Sequence, residues 1–92
     1  MNIVKESLVI EETVNFKNDY LLILWNDEVN NMIFIALSLC EILDMDYDSA
    51  YEIMYNAHNK GNAIAYLGNL DDVIEKHNRF SESGIMTTIE NI

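Results

Sequence analysis

No proline occurs in this sequence, and cysteine occurs once, as Cys40. A single thiol excludes an intramolecular disulfide and fits a reducing compartment. Basic residues are scarce: five Lys and Arg stand against sixteen Asp and Glu, a formal net charge of −11. That balance argues against nucleic acid and anionic membranes as partners, because both require a basic footprint. It favours a basic or cationic partner. Long apolar runs are also missing. The longest, Met32 to Cys40, is interrupted by Ser38 and is too short to span a bilayer. The opening "MNIVKESLVIEETVNFK" mixes acids and bases into a stretch with no apolar core. Neither a secretory signal nor a transit peptide is expected, and a cytoplasmic location is. No low-complexity segment or internal repeat is visible.

Half of the 92 residues are apolar, enough for one folded domain of modest stability. Residues 1–17 lack clear periodicity and read as an N-terminal tail, with a weak strand at Leu8 to Ile10; residues 18–92 read as the core domain. Tyr20–Trp25 is a continuous apolar run of strand length, so a central strand is expected there. Asn30 or Asn31 caps a helix running to about Met45. Its polar residues Ser38, Glu41 and Asp44 recur every third position and predict one narrow wet stripe on an otherwise buried helix. Asp46 caps a second helix with Tyr47, Ala50, Tyr51, Met54, Ala57 and His58 on its inner face, stopped by Lys60 and Gly61. Ala63–Leu67 reads as a strand. Asn69 caps a third helix with Leu70, Val73, Ile74 and His77 inward, and Gly84 stops it. Ile85, Thr87 and Ile89 then alternate with Met86, Thr88 and Glu90 in a half-exposed strand. This order predicts an α+β layer with helices on one face of a three-stranded sheet.

The residues able to carry chemistry are Asn26, Asp27, Glu28, His58 and His77. Each has a plain structural reading beside the functional one. Asn-Asp after a strand is ordinary turn chemistry, and a histidine on an apolar helix face is commonly a hydrogen-bonded core residue. Met32 and Met54 read as core filler. Cys40 lies in a buried helix with no activating neighbour in sequence. His58 and His77 lack the spacing of a zinc site. No nucleophile motif, phosphate-binding loop or dinucleotide fingerprint is present. Asp27 and His58 as an acid–base pair would therefore lack the other parts of an active site.

The stretches "LLILWNDEVNNMIFI" and "AHNKG" resemble the ClpS family, the adaptors of Clp proteases. The resemblance runs from about Tyr20 to Gly61 and less sharply to Ile92. It implies a three-stranded antiparallel sheet packed against three helices, in the order strand, helix, helix, strand, helix, strand. It implies an adaptor with no catalytic residues, no cofactor and no metal, acting as a monomer. Such an adaptor captures proteins whose first residue is Leu, Phe, Tyr or Trp and delivers them to an AAA+ unfoldase of the ClpA or ClpC type. By the same resemblance, Asn26, Asp27 and His58 hold the substrate's α-amino group. Glu28, Asn30, Met32, Ile35, Met54, Ala57 and Ile85 form the side-chain pocket, and Asp71 and Lys76 meet the unfoldase. Ala57 stands where the family commonly has a larger β-branched residue, which implies a wider pocket. A rival within the resemblance keeps the amino-end pocket but serves regulation or another machine.

Overall fold

A computed structural model describes residues 20–92, so the tail over 1–17 and its strand at Leu8 to Ile10 lie outside the described residues. The elements are β1 (Tyr20–Trp25), α1 (Met32–Leu43), α2 (Tyr47–Lys60), β2 (Asn62–Gly68), α3 (Leu70–Glu82) and β3 (Thr87–Asn91). This is the expected α+β order. The sheet order is β2-β1-β3, and β1 pairs antiparallel with both neighbours. The continuous apolar run of β1 follows from that central place. Leu22 and Leu24 point into the core, while Ile23 is buried on the other face between its partners Ile64 and Thr88. Trp25 donates its indole N–H to Thr88 Oγ1 at 2.8 Å, so its polar edge is satisfied there. Between Leu22–Tyr66 and Ile23–Ile64 the register slips, leaving Ala65 as an extra residue in β2.

Helices α2 and α3 pack on the sheet, and α1 packs across both. Each begins at an Asx cap. Asn31 Oδ1 accepts from the N–H of Ile33 and Phe34, Asp46 from Ser49, and Asn69 from Asp72. Helix α1 ends at Leu43, two residues before the expected Met45. Asp44 turns left-handed (φ 55°) and its N–H returns to the Cys40 carbonyl. Helix α2 ends at Gly61, whose φ of 98° suits glycine and whose N–H bonds to the Ala57 carbonyl.

The structure overturns part of the predicted face of each of the three helices. Ser38 is buried, at 8 % exposure, whereas Ile33 and Leu37 are 52 % and 54 % exposed. The outer side of α1 is thus apolar, joined by Glu41 and Asp44. In α2 the buried residues are Ala50, Met54 and Ala57, while Tyr47, Tyr51 and His58 face outward. In α3, Val73 and Phe80 are the buried pair, and Leu70 and Ile74 lie at the surface. His77 is half-buried and bonds through Nδ1 to Thr87 Oγ1 at 2.9 Å, tying α3 to β3.

Phe80 is fully buried in the central cluster, so Phe80→Ala should cost about 3–5 kcal/mol of unfolding free energy, the range for a large aromatic core truncation. Asn31→Ala removes only the cap of α1 and should cost about 1 kcal/mol. Urea unfolding of both variants checks the ranking, and equal losses would contradict this assignment of the core.

Candidate functional site

Strand pairing builds the site. Trp25 is opposite Asn62, so the chain leaving β1 lies beside the chain leaving α2. The Asn26 N–H donates to the Gly61 carbonyl at 2.9 Å. His58 sits one helical turn before that carbonyl. The loop from Asn26 to Asn30 is fixed on its far side as well, where Asn30 Nδ2 donates to the Gly84 carbonyl at 2.9 Å, in the turn between α3 and β3. Two distant turns therefore clamp a short polar loop over the end of the central strand.

Asp27 organises the loop from within. Its Oδ1 accepts from the N–H of Val29 at 2.8 Å and of Asn30 at 2.9 Å, and its Oδ2 accepts from Asn30 Nδ2 at 2.6 Å. Partial burial pushes the carboxyl upward, but the hydrogen bonds from Asn30 and Val29 outweigh it and hold Asp27 below the usual aspartate range. Asp27 is thus a fixed negative charge at neutral pH. Asn26 Nδ2 donates to Glu28 Oε2 at 2.8 Å, which turns the amide's nitrogen toward Glu28. Among the described residues, none donates to Asn26 Oδ1.

Beneath this polar edge lies a hollow of about 10 Å³, lined by Leu24, Trp25, Asn26, Asp27, Met32, Ile35, Met54, Ala57 and His58. That volume is room for about one water. The lining divides by chemistry: Asn26, Asp27 and His58 are polar, whereas Met32 and Ile35 from α1 and Met54 and Ala57 from α2 are apolar. Of the residues expected to hold a substrate, the structure brings Asn26, Asp27, His58, Met32, Ile35, Met54 and Ala57 around one hollow. Glu28 and Asn30 do not line it; they bond to the residues that do. Ile85 does not line it either; it is buried in the hydrophobic core. Leu24 and Trp25 were missed by sequence reasoning. The signal was present, since they immediately precede Asn26 at the end of the strand.

A larger groove of about 170 Å³ lies between α1 and α3, lined by Ser38, Glu41, Ile42, Arg79, Glu82 and Ser83. It holds none of the predicted residues. Of the two α3 residues expected to meet a partner, Asp71 is exposed. Lys76 is drawn inward: its ammonium bonds to Asp72 at 3.0 Å and Glu75 at 3.1 Å and lies 5.4 Å from the centre of the Tyr66 ring. Tyr66 donates its hydroxyl to Asp72. Among the described residues no three His, Cys, Asp or Glu side chains cluster as metal ligands. No described helix is long and apolar enough to cross a membrane.

Fold and site define a small α+β binding domain, in which a fixed carboxylate stands at the mouth of an apolar hollow. The family model described as "ATP-dependent Clp protease adaptor protein ClpS" matches residues 15–87. The chain belongs to the ClpS family, and is an adaptor rather than an enzyme. Among solved structures it is similar to Agrobacterium tumefaciens ClpS2 bound to L-phenylalaninamide, with a TM-score of 0.75 and 24 % identity over 83 % of this chain and 99 % of that one. That likeness supports the same fold. No curated protein sequence matches this chain.

Asn30→Ala should let the Asp27 carboxyl rise toward its ordinary value, as read by an NMR pH titration of its side-chain carbon. A depressed folded-state pKa stabilises the fold above the unfolded pKa, and that stabilisation is lost as pH falls through the folded value. The stability gap between wild type and variant should therefore shrink on acidification below the usual aspartate range. A gap independent of pH would show that Asn30 acts only through Gly84.

Proposed function

We propose that the hollow receives the first side chain of a protein that begins with Leu, Phe, Tyr or Trp, and that Asn26, Asp27 and His58 hold its free α-amino group. The observation that carries this reading is the Asp27 carboxylate, held ionised by its own loop at the mouth of an apolar hollow. An α-ammonium has a charge and three N–H donors, and burying it requires a counter-charge and acceptors. Asp27 supplies the charge. The Asn26 amide oxygen and a neutral imidazole nitrogen of His58 supply further acceptors. An internal peptide group has one N–H and no charge, so the same site rejects it. The similar ClpS2 was solved with L-phenylalaninamide, a molecule with a free amino group and an aromatic side chain. That supports the assignment.

The hollow is far smaller than a bulky side chain, so binding requires a wall to move. Met32 is that wall: it is partly exposed, unbranched and adaptable. Glu28 and Asn30 act by holding Asn26 and Asp27 in place. Captured proteins pass to an AAA+ Clp unfoldase that docks at α3 near Asp71 and Lys76. Residues 1–17 serve delivery rather than capture.

Asp27→Ala should weaken a Phe-first peptide by about 2–5 kcal/mol, the cost of removing one partner of a desolvated charge pair. N-acetylating the peptide should act similarly in an anisotropy titration. Equal binding of acetylated and free peptides would refute the amino-group assignment. Met32→Ala should admit Ile-first and Val-first peptides, whose branching at Cβ is wide next to the backbone. If both proteins exclude them equally, Met32 is not the wall that moves.

A further inference from the structure

The outer face of α2 continues from the site as a line of aromatic rings. Tyr47, Tyr51 and Tyr55 are spaced four apart, with ring centroids 6.1 Å from one another along the row. The Tyr51 and Tyr55 rings stack at 16°. All three are exposed, at 40, 41 and 49 %. His58 is also exposed and lines the hollow. It lies three residues beyond Tyr55 and seven beyond Tyr51, so helical spacing puts it on the same face. The row therefore runs along α2 away from the edge of the hollow that His58 lines.

We infer that the Tyr47–Tyr51–Tyr55 ladder is a second binding track, which holds the residues following the first residue of a captured chain and favours basic and aromatic side chains there. The inference rests on the reading of the hollow as an amino-end site. The dimensions agree. From His58 back to Tyr47 the helix advances about 16 Å, the span of about five extended peptide residues. The chemistry agrees as well. Asp48 and Glu52 are exposed and border the row on one side. A guanidinium lying on a tyrosine face would be attracted by the ring and by the neighbouring carboxylate. An aromatic side chain can stack on the same surface. The net charge of −11 favours cationic chains further. Tyr–Tyr spacing of four also supports the helix itself, but helix support does not require the rings to extend as an exposed strip from the edge of the site.

The test compares three ligands: L-phenylalaninamide, a Phe-first peptide continued with alanines, and a Phe-first peptide continued with Arg and Trp. They are titrated into wild type, the double variant Tyr51→Gln with Tyr55→Gln, and the double variant Tyr51→Phe with Tyr55→Phe. In wild type the Arg/Trp peptide should bind about three- to tenfold tighter than the alanine peptide. The Gln variant should lose most of that preference and the Phe variant should keep it, while L-phenylalaninamide binds all three alike. Unchanged amide binding also shows that the variants are folded. If the amide binds and the preference is the same in wild type and the Gln variant, the ladder is overturned and the amino-end site stands. If the amide fails to bind wild type, the site reading falls and the track falls with it. Self-association of wild type that the Gln variant loses, with no change in peptide preference, would assign the ladder to a second copy and overturn the inference.

Discussion

The pairing of β1 with β2 is the constraint from which the site follows. Trp25 opposite Asn62 forces the polar loop after β1 against the glycine that closes α2, and the Asn26–Gly61 hydrogen bond fixes the contact. His58 then stands beside Asn26 and Asp27, although a whole helical hairpin separates them in sequence. A slip of one residue in this register would turn Leu22 and Leu24 away from the core and move Asn26 off Gly61. Core burial and site geometry thus select the same register.

Asp27 carries turn chemistry, and the proposed function gives the same carboxylate a second task. Its carboxylate caps its own loop through Val29 and Asn30, the usual behaviour of an aspartate after a strand. Those bonds also hold it ionised and aimed. A carboxylate has about four acceptor positions, and three are filled from within the loop. The remaining capacity on Oδ2 suits a donor that arrives from outside. In the proposed function, local structure prepares the charge instead of competing with its use.

The strands, the three caps and the stops at Gly61 and Gly84 were legible because each depends on local chemistry: apolar runs, Asx side chains and positive φ. The faces of α1 were not. That helix is apolar nearly all the way round, so three polar residues could not reveal which side meets solvent. The structure puts Ser38 inside and Ile33 and Leu37 outside, since α1 packs across two helices rather than on the sheet. In α2 the small and flexible residues Ala50, Met54 and Ala57 were correctly placed inward. The tyrosines and His58 were misplaced because a ring at helical spacing reads the same whether it packs on a core or lines a surface. The Asn26–Asp27 loop and His58 were visible as candidates, but their contact was not, because it depends on the pairing of β1 with β2.

The same reversal gives α2 two separate roles. A histidine turned fully inward would have been a core residue, closed to any ligand. Outward placement leaves His58 at the edge of the hollow, while Met54 and Ala57, on the adjoining side of the helix, form part of its wall. One helix therefore supplies apolar wall and polar rim together, separated by the angle between neighbouring residues on a helix. Under the proposed function, one rigid element then sets the distance from the amino-group acceptor His58 to the side-chain hollow. In that reading the adaptable part of the site is Met32 on α1, and the fixed measure of length is α2 with the Asp27 loop.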